Sequence, residues 1–167
     1  RCFSLAVGFA TSVAWMDAPR CCGRGTTAEG WTTYRHDNRH SAVTKQPVTP
    51  PLSLAWTFQP AHPPQPAWAE PAEEMERAHD DNAYLVSAAG GLVYFGSSVD
   101  NKVYALDLAT GEVRWSFYTA GPVRYAPTIW KDRVYFGSDD GHVYCLRARN
   151  GKLVWEYRAG PTEEKVL

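Results

Sequence analysis

The feature that most restricts this chain is a block that returns after about 40 residues. Val93-Tyr94-Phe95-Gly96-Ser97 recurs as Val134-Tyr135-Phe136-Gly137-Ser138, an offset of 41. Val103-Tyr104-Ala105-Leu106 recurs as Val143-Tyr144-Cys145-Leu146, an offset of 40. Gly111 and Trp115 return as Gly151 and Trp155, again 40, and Gly121-Pro122 as Gly160-Pro161, 39. The order of the pieces holds while the offset drifts by single residues, and the drifts fall where turns belong. A period in this range marks propellers, solenoids or arrays.

The residues within one period say which. Leu92 to Gly96 is a short apolar, aromatic and β-branched run, and Lys102 to Leu106 is a second, preceded by the turn-forming pair Asp100-Asn101. Asp107 to Gly111 reads as a turn. Glu112 to Tyr118 alternates, which puts Val113, Trp115 and Phe117 on one face and Arg114, Ser116 and Tyr118 on the other. Tyr125 to Trp130 supplies a further strand just ahead of the next Val-Tyr-Phe-Gly run. Short runs bounded by Gly, Asp and Asn are strands joined by hairpins. Four such strands per period make the blade of a β-propeller. Two strands apolar on both faces and an outer one that alternates fit blades stacked face to face.

The stretch Ala105-Leu106-Asp107-Leu108-Ala109-Thr110-Gly111-Glu112-Val113-Arg114-Trp115 resembles the tryptophan-docking motif of pyrroloquinoline-quinone-type (quinoprotein-like) propeller repeats. Ala105, Asp107, Thr110, Gly111 and Trp115 occupy its five positions. The resemblance implies that the Trp packs between adjacent blades while the Ala leaves room for it. Trp115 should then lie near Ala105 and the Thr110-Gly111 turn, and Trp155 should dock toward a third blade. The second copy keeps Gly151 and Trp155 but has Arg147 in place of Asp and Asn150 in place of Thr. The likeness runs from about Trp31 onward. It extends to the propeller scaffold lipoproteins of the outer-membrane barrel-assembly machinery and to quinoprotein dehydrogenases, and it bears on fold more than on activity.

The expected architecture is all-β: a partial propeller over 31–167. The first blade spans about 82–118 and the second about 123–158, with Asn82 to Ala88 as the innermost strand of the first. Leu54, Trp56 and Phe58 alternate within 52–58, which reads as a lone N-terminal outer strand of the ring-closing kind. Gly160-Pro161 opens a third repeat, so the chain reads as an N-terminal fragment. Ahead of the blades, 1–14 has the look of a signal-peptide remnant, with an apolar run ended by Ser12-Val13-Ala14. Residues 15–30 read as a disordered linker. Its Cys21-Cys22 pair lies ahead of all the blades, wrongly placed for a vicinal disulfide beside a cofactor.

A formal net charge of −1, with Lys and Arg scattered, argues against a nucleic-acid surface. No run of 18 apolar residues provides a transmembrane helix. The four Cys form neither a disulfide scaffold nor a CxxC metal site. His36 and His40, four apart, would share a face if helical, but no Cys or Glu completes a metal site beside them. The Pro-rich stretch from Gln59 to Glu76 reads as a long loop, and Glu70, Glu73, Glu74, Glu76, Asp80 and Asp81 make it acidic, which suits a solvated loop better than a site for a cation or a basic partner.

These residues support two functional expectations. The first is a non-catalytic, periplasmic or otherwise extracytoplasmic scaffold that binds protein partners, with no cofactor, no catalytic residue and no metal in this fragment. Its open blade edges would also favour self-association. The alternative is the N-terminal part of a pyrroloquinoline-quinone-dependent alcohol or sugar dehydrogenase. The resemblance implies a quinone and calcium in such a full-length protein, and Asp80, Asp81 and Asn82 are the weak candidates for calcium ligands here.

Overall fold

The computed structural model describes residues 30–67 and 82–160, together with the backbone of strands at 5–6 and 13–16. The rest of the expected signal peptide over 1–14 and linker over 15–30, Cys21-Cys22 included, lies outside the described residues. So do residues 68–81, with the acidic positions Glu70 to Asp81.

Two four-stranded antiparallel sheets carry the fold. The first blade runs β4 (Val86–Ala89), β5 (Leu92–Ser97), β6 (Lys102–Asp107) and β7 (Val113–Tyr118), paired in that order. The second runs β8 (Thr128–Trp130), β9 (Arg133–Gly137), β10 (His142–Arg147) and β11 (Leu153–Arg158). The N-terminal strands β1 (Leu5–Ala6), β2 (Val13–Met16) and β3 (Leu54–Phe58) form a third sheet. Among the described residues there is no α-helix, and so no helix long and apolar enough to cross a membrane.

The middle strands of the first blade are buried on both faces. Val93 to Ser97 and Val103 to Leu106 are all inaccessible to solvent or nearly so. One apolar cluster lies between the blades, with Tyr94, Val103, Ala105 and Trp115 facing Ile129, Val134, Tyr144 and Leu146. Another joins Tyr84, Val86, Phe95 and Tyr104 to Trp31, Trp56 and Phe58.

Three expectations need correction. The innermost strands are shorter than read: β4 begins at Val86, and Tyr84 reaches the core from outside the ladder. β8 begins at Thr128, directly after Pro127, which has no N–H to offer a ladder. The carbonyl of Pro127 instead accepts the Ser87 hydroxyl of the first blade at 2.6 Å. Secondly, Val113 does not share the buried face of Trp115 and is 49% exposed. The β6–β7 ladder pairs Ala105 with Trp115 but Leu106 with Val113, so Arg114 is an extra residue in the strand. Such a bulge breaks the two-residue alternation and turns the strand. Thirdly, β3 is not alone at its position, because its backbone pairs antiparallel with β2.

Candidate functional site

The docking tryptophans can now be placed atom by atom. Each stands after a bulge. β3 has Ala55 as its extra residue ahead of Trp56, β7 has Arg114 ahead of Trp115, and β11 has Val154 ahead of Trp155. Trp115 pairs with Ala105 across the ladder. Its turn is a different one. The Trp115 Nε1–H donates to the Ala148 carbonyl at 2.9 Å, in the Arg147–Gly151 turn of the second blade. The Tyr94 hydroxyl donates to the same carbonyl at 3.3 Å. The Thr110-Gly111 turn, expected to receive Trp115, receives Trp56, whose Nε1–H donates to the Leu108 carbonyl at 3.1 Å. The cause is geometric: an outer strand faces the neighbouring blade, so its Trp meets that blade's turn and not its own.

Both turns need glycine for two reasons. Gly111 and Gly151 have φ of 75° and 66°, a region that costs other residues free energy. A Cβ on Gly151 would stand 2.6 Å from the Trp115 ring, and one on Gly111 would stand 2.5 Å from Trp56. In the first turn Asp107 Oδ1 accepts the Ala109 and Thr110 amides, and Thr110 Oγ1 accepts that of Glu112. In the second, Asn150 Oδ1 accepts the Lys152 amide, taking the part of Thr110. Arg147 has no carboxylate to offer, yet the Gly151 amide still reaches the Arg147 carbonyl at 2.9 Å, and the turn closes on backbone bonds. Trp155 occupies the same repeat position and is 43% exposed, with Tyr135 beside it at 6.1 Å between ring centroids.

A second repeated constellation escaped the sequence reading. Asp100 and Asp140 sit 40 residues apart, in the turns between the second and third strands of each blade. The Tyr104 hydroxyl donates to Asp100 Oδ2 at 2.9 Å, and the Tyr144 hydroxyl to Asp140 Oδ2 at 2.8 Å. His62 Nδ1 lies 3.0 Å from Asp100 Oδ1, tying the loop after β3 to the first blade. Asp140 takes the backbone amides of His142 on Oδ1 and Ala120 on Oδ2, tying the loop after β7 to the second. Burial pushes the Asp140 carboxyl up, but these donors outweigh it and hold it below the ordinary carboxylate value. Asp100 is lowered in the same way, burial being outweighed by His62 and Tyr104. Burial and the adjacent carboxylate raise the Tyr144 hydroxyl. The signal was in the repeat: Asp100/Asp140 and Tyr104/Tyr144 share the offset of 40.

The expected metal candidates do not converge. His36 is buried against Trp31, with ring centroids 5.0 Å apart, while His40 is exposed beside Tyr34. Both have positive φ in a turn, so the helical spacing that would align them is missing. Asn82 is exposed, and Asp80 and Asp81 lie outside the described residues. Among the described residues no three His, Cys, Asp or Glu side chains are grouped to hold a metal.

Comparison with known proteins agrees with this geometry. The family model described as outer membrane protein assembly factor BamB matches residues 53–167. The dehydrogenase subunit of the quinone alcohol dehydrogenase of Komagataeibacter europaeus is 34% identical over 99% of the chain, which covers 23% of that protein. The outer membrane protein assembly factor BamB of Taylorella asinigenitalis (strain MCE3) is 26% identical over 60% of the chain and 24% of its own length. The crystal structure of quinohemoprotein alcohol dehydrogenase from Comamonas testosteroni aligns with 80% of the chain and 20% of its own, at a TM-score of 0.55 and 21% identity, a likeness of fold. The chain thus spans less than a quarter of the length of these curated relatives. With its repeated four-stranded blades and this match over 53–167, the chain belongs to the BamB-like family of pyrroloquinoline-quinone-type β-propeller repeat proteins.

Proposed function

We propose that the chain is a sector of an extracytoplasmic β-propeller that serves as a non-catalytic scaffold for protein partners. One observation carries this reading. The repeated carboxylates Asp100 and Asp140 are engaged by tyrosine hydroxyls and by the connecting loops, while large aromatics stand on the surface beside cations. Tyr118, Tyr125 and Trp130 are 67%, 60% and 59% exposed. Lys102 lies over Tyr118 at 4.7 Å, Arg124 over Tyr125 at 5.7 Å and Lys131 over Trp130 at 4.2 Å. Exposed aromatics and Arg are the residues that protein interfaces favour. A photo-crosslinking residue placed at Tyr125 or Trp130 in the full-length protein should give a discrete adduct with an envelope protein. Its absence at both positions, or export-independent localisation, would overturn the reading.

A specific observation favours a second reading, the N-terminal part of a quinone-dependent alcohol or sugar dehydrogenase. The Komagataeibacter europaeus alignment runs over nearly the whole chain, whereas the BamB match begins at residue 53. Among the described residues no three His, Cys, Asp or Glu side chains are grouped to hold calcium. Pyrroloquinoline quinone and calcium added to the full-length protein, with a primary alcohol and an artificial electron acceptor, separate the two readings. Saturable dye reduction would establish the dehydrogenase and remove the scaffold proposal.

A further inference from the structure

β4 and β8 are the inner edge strands of the two blades, so each has one edge with no partner in its own sheet. Such an edge presents unpaired backbone groups. Here the two edges are bridged by the chain itself. The Ala88 amide of β4 donates to the Trp31 carbonyl at 2.7 Å, and the Ile129 amide of β8 donates to the Thr32 carbonyl, also at 2.7 Å. Trp31 and Ala88 form an antiparallel bridge. The hydroxyls of Thr33 and Thr128 meet at 2.9 Å. Consecutive carbonyls of one extended segment thus serve two different blades.

Beyond Thr33 the chain folds back over this bridge. The His36 amide donates to the Thr33 carbonyl at 3.1 Å, and the Ala42 amide returns to the Arg35 carbonyl at 2.9 Å. Arg35, His36, His40 and Ala42 all have positive φ, uncommon for residues with a side chain. Asp37 accepts the Arg39 and Ser41 amides and the Ser41 hydroxyl. Thr33 and His36 are buried, and the His36 ring packs edge-on against Trp31 at 5.0 Å between centroids. Gly30 has no room for a side chain, since a Cβ would come 2.9 Å from the Ala88 carbonyl.

We propose that residues 31–42 are an axial plug. The segment seals the seam between the inner strands of the two blades and closes this sector of the central channel to solvent and to ligands. A ligand on the axis would then contact other blades, or would have to displace Trp31 to Thr33 before reaching Ala88 and Ile129. This goes beyond the scaffold reading and holds under either of the two functions above.

Hydrogen exchange in the full-length protein tests it, read in segments containing Val86–Ala89 and Thr128–Trp130. The double variant Trp31→Ala, Thr33→Val should speed exchange in these two segments about tenfold or more. Exchange in Leu92–Ser97 and His142–Arg147 should stay slow. Thr33→Ser keeps the hydroxyl and should behave as the natural chain. Unchanged exchange at the inner strands would overturn the proposal, because the segment would not be shielding them. An equal rise across both blades would overturn it too, since the segment would then be an ordinary part of the fold. Thr33→Ser as leaky as the double variant would remove the hydroxyl pair from the seal.

Discussion

Trp115 and Trp155 occupy the same repeat position yet meet different surroundings. Trp115 is buried between two blades and donates to the Ala148 carbonyl, whereas Trp155 is 43% exposed on β11. Truncating a buried Trp to Ala costs about 3–5 kcal/mol, a large part of an ordinary domain's stability. Trp115→Ala should therefore loosen or unfold the blade pair, and Trp155→Ala should cost much less. Denaturant melts of both variants, in chains starting at Trp31, are the measurement, and equal losses would refute the asymmetry. Gly151→Ala belongs with Trp115→Ala. The positive φ alone costs about 1–2 kcal/mol, and the added Cβ would strike the Trp115 ring. A melt as stable as that of the natural chain would show that the turn can move away from the ring. The rim carboxylates give a pH signature. Asp100 and Asp140 titrate lower when folded than unfolded, so the stability they confer is present above the unfolded value of about 3.9 and is lost as pH falls through the folded one. Asp140→Asn should lower stability at neutral pH and shrink the further loss as pH falls below about 4. Melts over that range, with an unaltered acid dependence as the contrary result, decide it.

At the scale of elements, the outer strand is where simple alternation gives way. An extra residue before each docking Trp bends the strand and leaves Val113 on the solvent side while Trp115 points into the interface. The bulge is therefore part of the docking device and not a defect in the ladder. Deleting Arg114 should restore a regular register, move Trp115 out of line with the Ala148 carbonyl and cost at least as much as Trp115→Ala. A deletion variant with a near-natural melt would show that the bulge has no part in aiming the ring. The inner strands hold together differently. Ser87 reaches across to Pro127 and the segment after Gly30 bridges Ala88 to Ile129, so polar bonds join the inner strands beside the apolar cluster that packs the two blades together.

For the whole molecule, the decisive quantity is the surface left uncovered. β11 presents Leu153, Val154, Trp155 and Tyr157 to solvent at the edge of the second blade. An apolar open edge favours association, and a terminal repeat without a capping face loses solubility. The 167-residue chain by itself should associate in size-exclusion chromatography with light scattering, and a sharp soluble monomer with a cooperative melt would refute this. The same chain should show no saturable micromolar binding of pyrroloquinoline quinone with calcium in calorimetry.

The repeat alone was enough to determine the blade, because each blade reuses one set of strands and turns and the copies register against each other in the sequence. Val93 to Ser97, the Thr110-Gly111 turn and Trp115 were all legible in this way. The destination of the Trp115 ring was not, since it belongs to the next blade: Ala148 lies 33 residues away, and either turn offers the same glycine and carbonyl. The bulge at Arg114 was hidden because an extra residue shifts faces without changing composition. The Asp100 and Asp140 anchors were visible as repeated letters, but a carboxylate in a turn and one that binds a distant loop have the same sequence. The bridge from Trp31 and Thr32 to Ala88 and Ile129 joins backbone groups, and backbone groups carry no residue signature. Only the tertiary structure could bring those edges together and decide what lies between them.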